Sequence, residues 1–450
     1  MTRLRAAWEY LRGTYWAVPS TMSVAAVGLA IGMIELDEAA TARLIDRLSW
    51  VYTGGPEGAR AVLSTIAASM ITVAGVTFSI TIVSLTLASQ QFGPRLLRNF
   101  LRDLGNQVVL GTFVSTFIYC LLVLRTVRGS DQEEFVPHLA VTVGVALAML
   151  SLGVLIFFIH HVATSIQASR IIANVATDLE EAINRLFPDA IGEDPAAAPG
   201  GPPPDVADVI DDDAGEVRTT STGYVQALDA EGLMTVARDR NVVVQVLARP
   251  GVFVRKGQVL LRVAATPRHT GHDDTAFRKV FIIGSDRTGT QDVTFFIDQL
   301  VDLAVRALSP GINDPGTARI CIDRLEQALC HLAVRRIPSP ARLDDDGRVR
   351  VFACPMTFES LVDSAFDEIA RYGRSSLSVV SRLLDALREV GACVQSDADR
   401  QVLLRQAAAI AGEVREAPFS AGDRDRFSRR YQATLAALHD TRPGVVASGG

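Results

Sequence analysis

Few residues of this chain combine the type and spacing that catalysis or metal binding requires. His160 and His161 are adjacent at the end of an apolar stretch. Neighbouring residues of a helix point about 100° apart, so these imidazoles cannot chelate one metal ion from a single helix face. We interpret the pair as interfacial or hydrogen-bonded packing residues, with a proton-relay or metal role as the alternative.

Asn313 and Asp314 form a second candidate site, within the segment SPGINDPGTA. Pro310-Gly311 ends one predicted helix. Asp314 is a good N-cap for the next helix, and Pro315 suits its first position. A sharp turn between two helices accounts for every residue of this segment, and a functional site at Asn313-Asp314 is the alternative.

Signatures of the common enzyme classes are absent from the sequence. GxxxxGK[ST], HExxH, GxSxG and SxxK do not occur, and GSDRTGT (284–290) has no lysine to reach a phosphate, which indicates a turn. The cysteines show no CxxC spacing or metal-ligand pattern and are predicted to be reduced and unpaired: Cys120, Cys321, Cys330, Cys354 and Cys393. We expect no enzyme activity, no cofactor and no metal.

Polar residues recur along residues 61–90 on positions at alternating steps of three and four. This hydroxyl stripe comprises Thr65, Ser69, Thr72, Ser79, Thr86 and Gln90, with Val76 and Val83 at the positions between them. Residues so spaced lie on one face of a helix. The stripe could line an aqueous pathway, or it could pack against another helix through small and hydroxyl side chains, as is common in membranes. The sequence leaves both interpretations open.

These residues require membrane helices to position them. Four stretches contain no Asp, Glu, Lys or Arg: 13–34, 61–94, 104–124 and 135–169. A membrane helix needs about 20 mostly apolar residues. The sequence therefore predicts four transmembrane helices, at about 17–34, 61–90, 107–124 and 138–162.

The second span is longer than a bilayer requires. As a helix its uncharged run would extend about 50 Å, so it must tilt, kink at a point such as Gly75, or project. Gly93-Pro94 then breaks the helix before a short segment that is predicted to lie in the interface. The arginines of that segment either contact lipid phosphates or set the topology: Arg95, Arg98 and Arg102.

The arginine distribution indicates the orientation. Eight arginines flank the spans on the side of the N-terminus and five on the other side. Under the positive-inside rule, both termini are cytoplasmic in a multi-pass protein of the inner (plasma) membrane. The net charge of −6 and the lack of a basic block argue against nucleic-acid binding. The expected partners are the lipid bilayer, further copies of the chain and an unidentified cytoplasmic protein.

The second half of the chain changes character. Residues 1–187 are predicted to form the four-helix transmembrane domain with a cytoplasmic helical extension, and 188–216 a flexible Pro/Asp-rich linker. Residues 217–268 contain short β-type runs (TGYVQAL, LMTVA, NVVVQVLA and VLLRV) and are predicted to form a small β-barrel or sandwich. Residues 269–450 are predicted to be mainly helical. The predicted fold class is thus an α-helical membrane protein with a cytoplasmic α+β region.

Three segments together resemble a known family. TIAASMITVAGVTFSITIVSLTLASQQFGPRLLRNFLRD, FIHHVATSIQ and ALSPGINDPGTA are similar to the bacterial predicted membrane proteins catalogued as domain of unknown function 2254. The resemblance extends over about 15–440 and implies an inner-membrane protein with four spans and a cytoplasmic C-terminal region. It implies no activity, substrate or site residues.

The function hypothesis that we favour is a homo-oligomeric channel or transporter-like protein lined by the second span. Its basis is the hydroxyl stripe, the length of that span, and too few spans for a monomeric transporter built from internal repeats. The alternative is a membrane-anchored sensor or scaffold whose soluble half binds a cytoplasmic partner. An enzyme is the third hypothesis, since only the His160-His161 and Asn313-Asp314 pairs could support one.

Overall fold

The computed structural model describes most of the chain, and two compact units meet between Arg170 and Ile171. The described residues are 16–39, 52–92, 103–130, 133–165, 167–187, 210, 214–264, 274–335, 337, 339–354 and 356–440. The elements of the first unit are α1 (Ala17–Ala39), α2 (Pro56–Phe92), α3 (Leu104–Leu124), β1 (Arg128–Ser130), β2 (Glu133–Phe135) and α4 (His138–Ser165). α5 (Ala168–Leu186) crosses the boundary between the units.

The four predicted apolar helices are confirmed, because each of α1 to α4 is long and apolar enough to cross a membrane. α3 is the central helix and packs against the other three. Leu63 of α2 and Ala140 of α4 share a core with Tyr119, whereas Ala74 of α2 and Phe158 of α4 pack near the start of α3. α2 and α4 are therefore antiparallel to α3.

This arrangement gives the bundle two chemically distinct ends. Asp37 of α1 bonds to the first turn of α4, so α1 runs parallel to α3. We call this the hairpin end, because β1 and β2 form an antiparallel hairpin between α3 and α4. Trp16, Asp103 and His161 lie at the opposite end, the tail end.

α2 is one continuous helix from Pro56 to Phe92 and is unbroken at Gly75. Within the part of α2 whose side-chain burial is described, which ends at Leu87, Thr77 is the last buried residue, and none of residues 78–87 is buried. The ring of Phe78 lies 6.3 Å from that of Trp16, which immediately precedes α1. From Phe78, α2 continues for about 20 Å to Phe92. Of the alternatives for the long second span, a kink at Gly75 is not found, and tilting and projection beyond the bilayer stay predictions.

The second unit combines two sheets with a set of helices. After α5 its elements are β3 (Gly215–Arg218), β4 (Gly223–Leu228), α6 (Ala230–Asp239), β5 (Val243–Val246), β6 (Phe253–Val254), β7 (Val259–Ala264), α7 (Asp274–Lys279), β8 (Phe281–Gly284), α8 (Thr294–Ala307), α9 (Pro315–Ala333), β9 (Ala341–Leu343), β10 (Val349–Phe352), α10 (Phe358–Gly373), α11 (Leu377–Cys393), α12 (Asp397–Arg415) and α13 (Ala421–His439). The predicted linker 188–216 lies mostly outside the described residues.

Of the two predicted alternatives, a small β-barrel or a sandwich, a closed barrel is not found among the described residues. The strands form two open sheets, ordered β3-β7-β5-β10-β9 and β6-β4-β8, which share one apolar core. β8, β9 and β10 come from beyond residue 268, so the sheets draw on chain that follows the predicted 217–268 segment. The run LMTVA is also not a strand: it lies in α6, which Asp229 caps by accepting from the backbone N–H of Gly232.

Candidate functional site

The hydroxyl stripe lies on the face of α2 that points away from the described part of the bundle. Its described side chains are all exposed: Thr65, Ser69, Thr72, Ser79 and Thr86. The opposite face packs into the bundle through Ala59, Leu63, Ala67, Ala74 and Thr77. The side chain of Gln90 and all of Arg95, Arg98 and Arg102 lie outside the described residues.

Four of the exposed hydroxyls donate to their own helix, each to the carbonyl oxygen four residues earlier. These bonds measure 2.7 to 2.9 Å and belong to Thr65, Thr72, Ser79 and Thr86. A hydroxyl group has one donor and two acceptor lone pairs. With the donor already used, each oxygen presents lone pairs outward, which suits contact with water or a cation.

At the tail end of the bundle, His161 pairs with an acid that the sequence did not single out. Its Nε2 lies 2.6 Å from Oδ2 of Asp103, and its ring stacks on Phe157 at 5.3 Å. Asp103 also caps α3 by accepting from the N–H of Gly105 at 2.9 Å. His160, its neighbour, is exposed. The structure therefore separates the two histidines as the 100° helix geometry requires.

Asn106 lies beside this pair and is buried. Its Nδ2 donates to Oδ2 of Asp103 at 3.4 Å, while its Oδ1 is buried without a hydrogen-bond partner. The three side chains form a compact polar cluster at the tail end. No sequence signal marked it, since Asp103 lies within the predicted interfacial segment and is far from His161 in the chain.

The hairpin end holds a second polar cluster around Asp37. This buried carboxylate accepts from the N–H groups of Leu139 at 2.9 Å and Ala140 at 2.8 Å, at the first turn of α4. The hydroxyl of Tyr119 donates to the carbonyl of Ala140 at 2.9 Å. A helix N-terminus carries unpaired N–H groups and partial positive charge, so a carboxylate satisfies both. Asp37 therefore anchors α1 to α4.

The Asn313-Asp314 pair forms the turn before α9. Asp314 is its N-cap, as predicted, and accepts from the N–H of Thr317 at 3.1 Å and from its hydroxyl at 2.6 Å. These donors hold the pKa of Asp314 below its ordinary value. Asn313 has a φ of 47° and is exposed. Helix capping therefore accounts for the geometry of both residues.

GSDRTGT is a turn, as predicted, and an ionic cluster closes it. Arg287 donates to the buried Asp292 at 2.6 Å and also bonds to Asp298 and Thr294. Burial raises the pKa of Asp298, with Arg287 acting in the opposite direction. The guanidinium donates to residues that follow the turn, including Thr294 and Asp298 of α8, so this cluster fixes the loop between β8 and α8.

Metal ligands do not converge in the described part of the chain. No three His, Cys, Asp or Glu residues there are grouped so that they could hold a metal ion. The polar features that remain are the hydroxyl face of α2 and the two clusters at the ends of the bundle.

Comparison with known proteins gives relatives of undetermined activity. The family model described as "Predicted membrane protein", domain of unknown function 2254, matches residues 12–389. Uncharacterized proteins of Mycobacterium bovis and of Mycobacterium tuberculosis (strain H37Rv) are each 34% identical over 456 aligned positions, covering 99% of this chain and 84% of theirs. No solved structure matches.

Proposed function

Since the chain belongs to this family of predicted membrane proteins, we propose that it is a multi-pass inner-membrane protein that assembles from several copies. The exposed hydroxyl face of α2 lines a pathway for ions or small polar solutes in this assembly. Four helices whose apolar lengths match a bilayer support the membrane placement.

The contrast between two exposed helix faces carries the proposal. The outward face of α4 is apolar, as expected for contact with lipid, and its most exposed side chains are Met149, Leu150, Leu152, Ile156 and Ile159. The outward face of α2 interleaves apolar residues with the row of hydroxyls. Polar residues in a span face protein or water at lower cost than lipid. α2 is thus the helix whose outward face fits an interior position in an oligomer.

The hydrogen bonds of the stripe suit a pathway. Because the hydroxyl protons of Thr65, Thr72, Ser79 and Thr86 bond to backbone carbonyls, their oxygens present acceptors. Rings of oxygen acceptors replace part of the hydration shell of a cation in selective pores. The chemistry therefore favours a cation or a donor-rich neutral solute over an anion.

The second half of α2 also favours several copies. None of residues 78–87 is buried, and Phe78, Ile80, Ile82, Val83 and Leu87 are exposed there. An apolar helix surface needs either lipid or an equivalent segment beside it. Association of these segments from several copies would extend the pathway along α2.

Orientation follows from the bundle geometry and the arginine bias together. Both the start of α1 and the end of α4 lie at the tail end, so the N-terminal tail and the second unit emerge on one side of the membrane. We assign that side to the cytoplasm because most flanking arginines lie there.

Flux measured in liposomes tests the pathway. We expect Thr72→Val and Ser79→Ala together to reduce cation flux at least several-fold, with the oligomer unchanged in mass. Thr21→Val is the matched control, because Thr21 is also exposed and donates to its own helix, but lies on α1. A strict monomer in detergent and nanodiscs, or equal flux from the stripe variant and the wild type, would refute the proposal.

A second candidate function, a membrane-anchored sensor or scaffold, is favoured by one surface of the second unit. The β6-β4-β8 sheet exposes Phe253 (49%) and Ile282 (54%) on the face away from the shared core, and Phe253 packs edge-on against Tyr224 at 5.1 Å. Replacing Phe253 and Ile282 by lysine should abolish capture of a cytoplasmic protein partner while leaving flux intact. Unchanged partner capture would count against this function.

A further inference from the structure

Two valines interrupt the row of hydroxyls on α2. Val76 and Val83 occupy stripe positions, and Thr72 and Ser79 are the hydroxyl residues that precede them in the stripe. They are also the most exposed large apolar side chains among the described residues of this helix, at 53% and 58%. The stripe is therefore the centre line of the exposed face of α2, and the two valines lie on that line together with the hydroxyls.

The helix keeps all stripe positions in register, because α2 is continuous through Gly75. Steps of three and four residues alternate along the stripe, which gives a mean repeat of about 3.5, slightly shorter than the repeat of a straight helix. Helices with this repeat keep one face together by winding around each other in a left-handed supercoil. Parallel copies of α2 associated in this way place equivalent stripe residues at the same level, one ring for each position.

The exposed residue beside Val76 is a glycine. A Cβ at Gly75 would meet no described atom within 4 Å, and Ala68, two helical turns earlier, is also exposed. Small residues let the backbones of neighbouring membrane helices approach closely. The equivalent position beside Val83 is Ile82, whose larger side chain is exposed and holds neighbouring helices further apart. We therefore expect the narrowest ring of the assembly at Val76.

We propose that the Val76 side chains of the assembled copies form a hydrophobic gate, with Val83 as a second apolar ring about 10 Å further along α2. This inference rests on the pathway proposed above. Thr72 and Ser79 lie on either side of the gate, and their oxygens present acceptors to water because their protons bond to the helix backbone. Narrow apolar constrictions close pores by losing their water. The pathway conducts when the helices separate or rotate Val76 away from its axis.

Cation flux through the full-length protein in liposomes tests the gate. Val76→Thr exchanges a methyl group for a hydroxyl at nearly constant volume, so it wets the ring without widening it. We expect this variant to raise basal flux at least several-fold. Val76→Ile should lower the flux, because the ring stays apolar and becomes narrower. Ile71→Thr is the control and should match the wild type, since Ile71 is exposed on α2 but points about 100° away from Thr72.

Cross-linking tests whether the Val76 positions of different copies converge. On oxidation in nanodiscs, Val76→Cys should give disulfide-linked dimers on a non-reducing gel. Met149→Cys should not, because Met149 lies on the outward, lipid-facing side of α4. Both substitutions are made in the Cys354→Ser protein, since Cys354 is the native cysteine that is exposed. The Cys354→Ser protein without further change should stay unlinked.

The outcomes separate the gate from the pathway. Cross-linking at Val76→Cys, combined with equal flux from the wild type and Val76→Thr, would overturn the gate and leave the pathway standing. A rise in flux from Ile71→Thr as large as that from Val76→Thr would also overturn the gate. No flux from any of these proteins, combined with no cross-link at Val76→Cys, would refute the proposed function itself.

Discussion

Nε2 of His161 lies 2.6 Å from Oδ2 of Asp103, although the two residues are 58 positions apart in the chain. The contact joins the last turns of α4 to the N-cap of α3. Gly105 leaves the space for it, because a Cβ at that position would lie 2.8 Å from Nε2 of His161. One acid thus caps the central helix and holds its neighbour at the tail end of the bundle.

We expect Asp103→Ala to lower the stability of the bundle by about 1 to 3 kcal/mol, because α3 loses its N-cap and His161 loses its partner. Asp103→Asn should cost less, since asparagine is also a good N-cap. Thermal unfolding of the detergent-purified protein measures both changes. His160→Ala is the control and should lie within about 0.5 kcal/mol of wild type, as is usual for exposed sites. An equal loss for His160→Ala and His161→Ala would contradict this account.

At the hairpin end, Asp37→Ala should also destabilise the bundle by about 1 to 3 kcal/mol. The substitution leaves the N–H groups of Leu139 and Ala140 without their acceptor at a buried helix N-terminus. Glu38→Ala, at the exposed neighbouring position, should have little effect. Hydrogen exchange localises the result: faster exchange at the start of α4 in the Asp37 variant supports the anchor, and unchanged exchange there argues against it.

The sequence predicted the four apolar helices well because membrane helices depend on uninterrupted apolar length, which is local information. It also predicted Asp314 as an N-cap, since capping joins residues only three positions apart. The Asp103–His161 and Asp37–Ala140 contacts were missed because they join residues that are distant in the chain. LMTVA was wrongly assigned as a strand because a run of five residues carries too little periodicity to separate helix from strand.

The sheets of the second unit were also predicted incompletely, because some of their paired strands are distant in the chain. The predicted small barrel or sandwich placed all its strands within 217–268, but β5 pairs in parallel with β10, more than a hundred residues later. Parallel pairing requires a crossover connection whose partner the local pattern does not identify. The hydroxyl stripe, in contrast, was predictable as one helix face, because the spacing that aligns its residues is local.

Gly251 and Gly257 form a matched pair for testing how the Arg287 cluster constrains the segment between β5 and β7, which contains β6. Both have positive φ values, 91° and 85°. A Cβ on Gly251 would lie 2.2 Å from Oδ2 of Asp292, whereas a Cβ on Gly257 would have no described atom within 4 Å. Gly257→Ala should therefore cost only about 1 kcal/mol of backbone strain. Gly251→Ala should cost clearly more, because it also displaces Asp292 from Arg287. Chemical denaturation measures the difference, and equal losses would mean that the Arg287 cluster is not rigid.

The N-cap of α9 gives a prediction with a defined pH dependence. The pKa of Asp314 is lowered on folding from its ordinary value of 3.8, so the folded state favours the carboxylate. Its contribution is fully present above that value and is lost as the pH falls through the lower, folded-state pKa. Asp314→Ala should cost about 1 kcal/mol at pH 7, and the difference from wild type should shrink below about pH 4.

The Asp314→Asn variant tests the effect of the carboxylate charge separately from that of the N-cap hydrogen bond. Asparagine accepts the same backbone hydrogen bond but does not titrate, so its stability relative to Asp314→Ala should not change across the acid range. Unfolding free energies of the three proteins at pH 7, 5 and 3 provide the comparison. If the wild type and the asparagine variant lost the same stability on acidification, the carboxylate of Asp314 would not be the group that responds to pH in this turn.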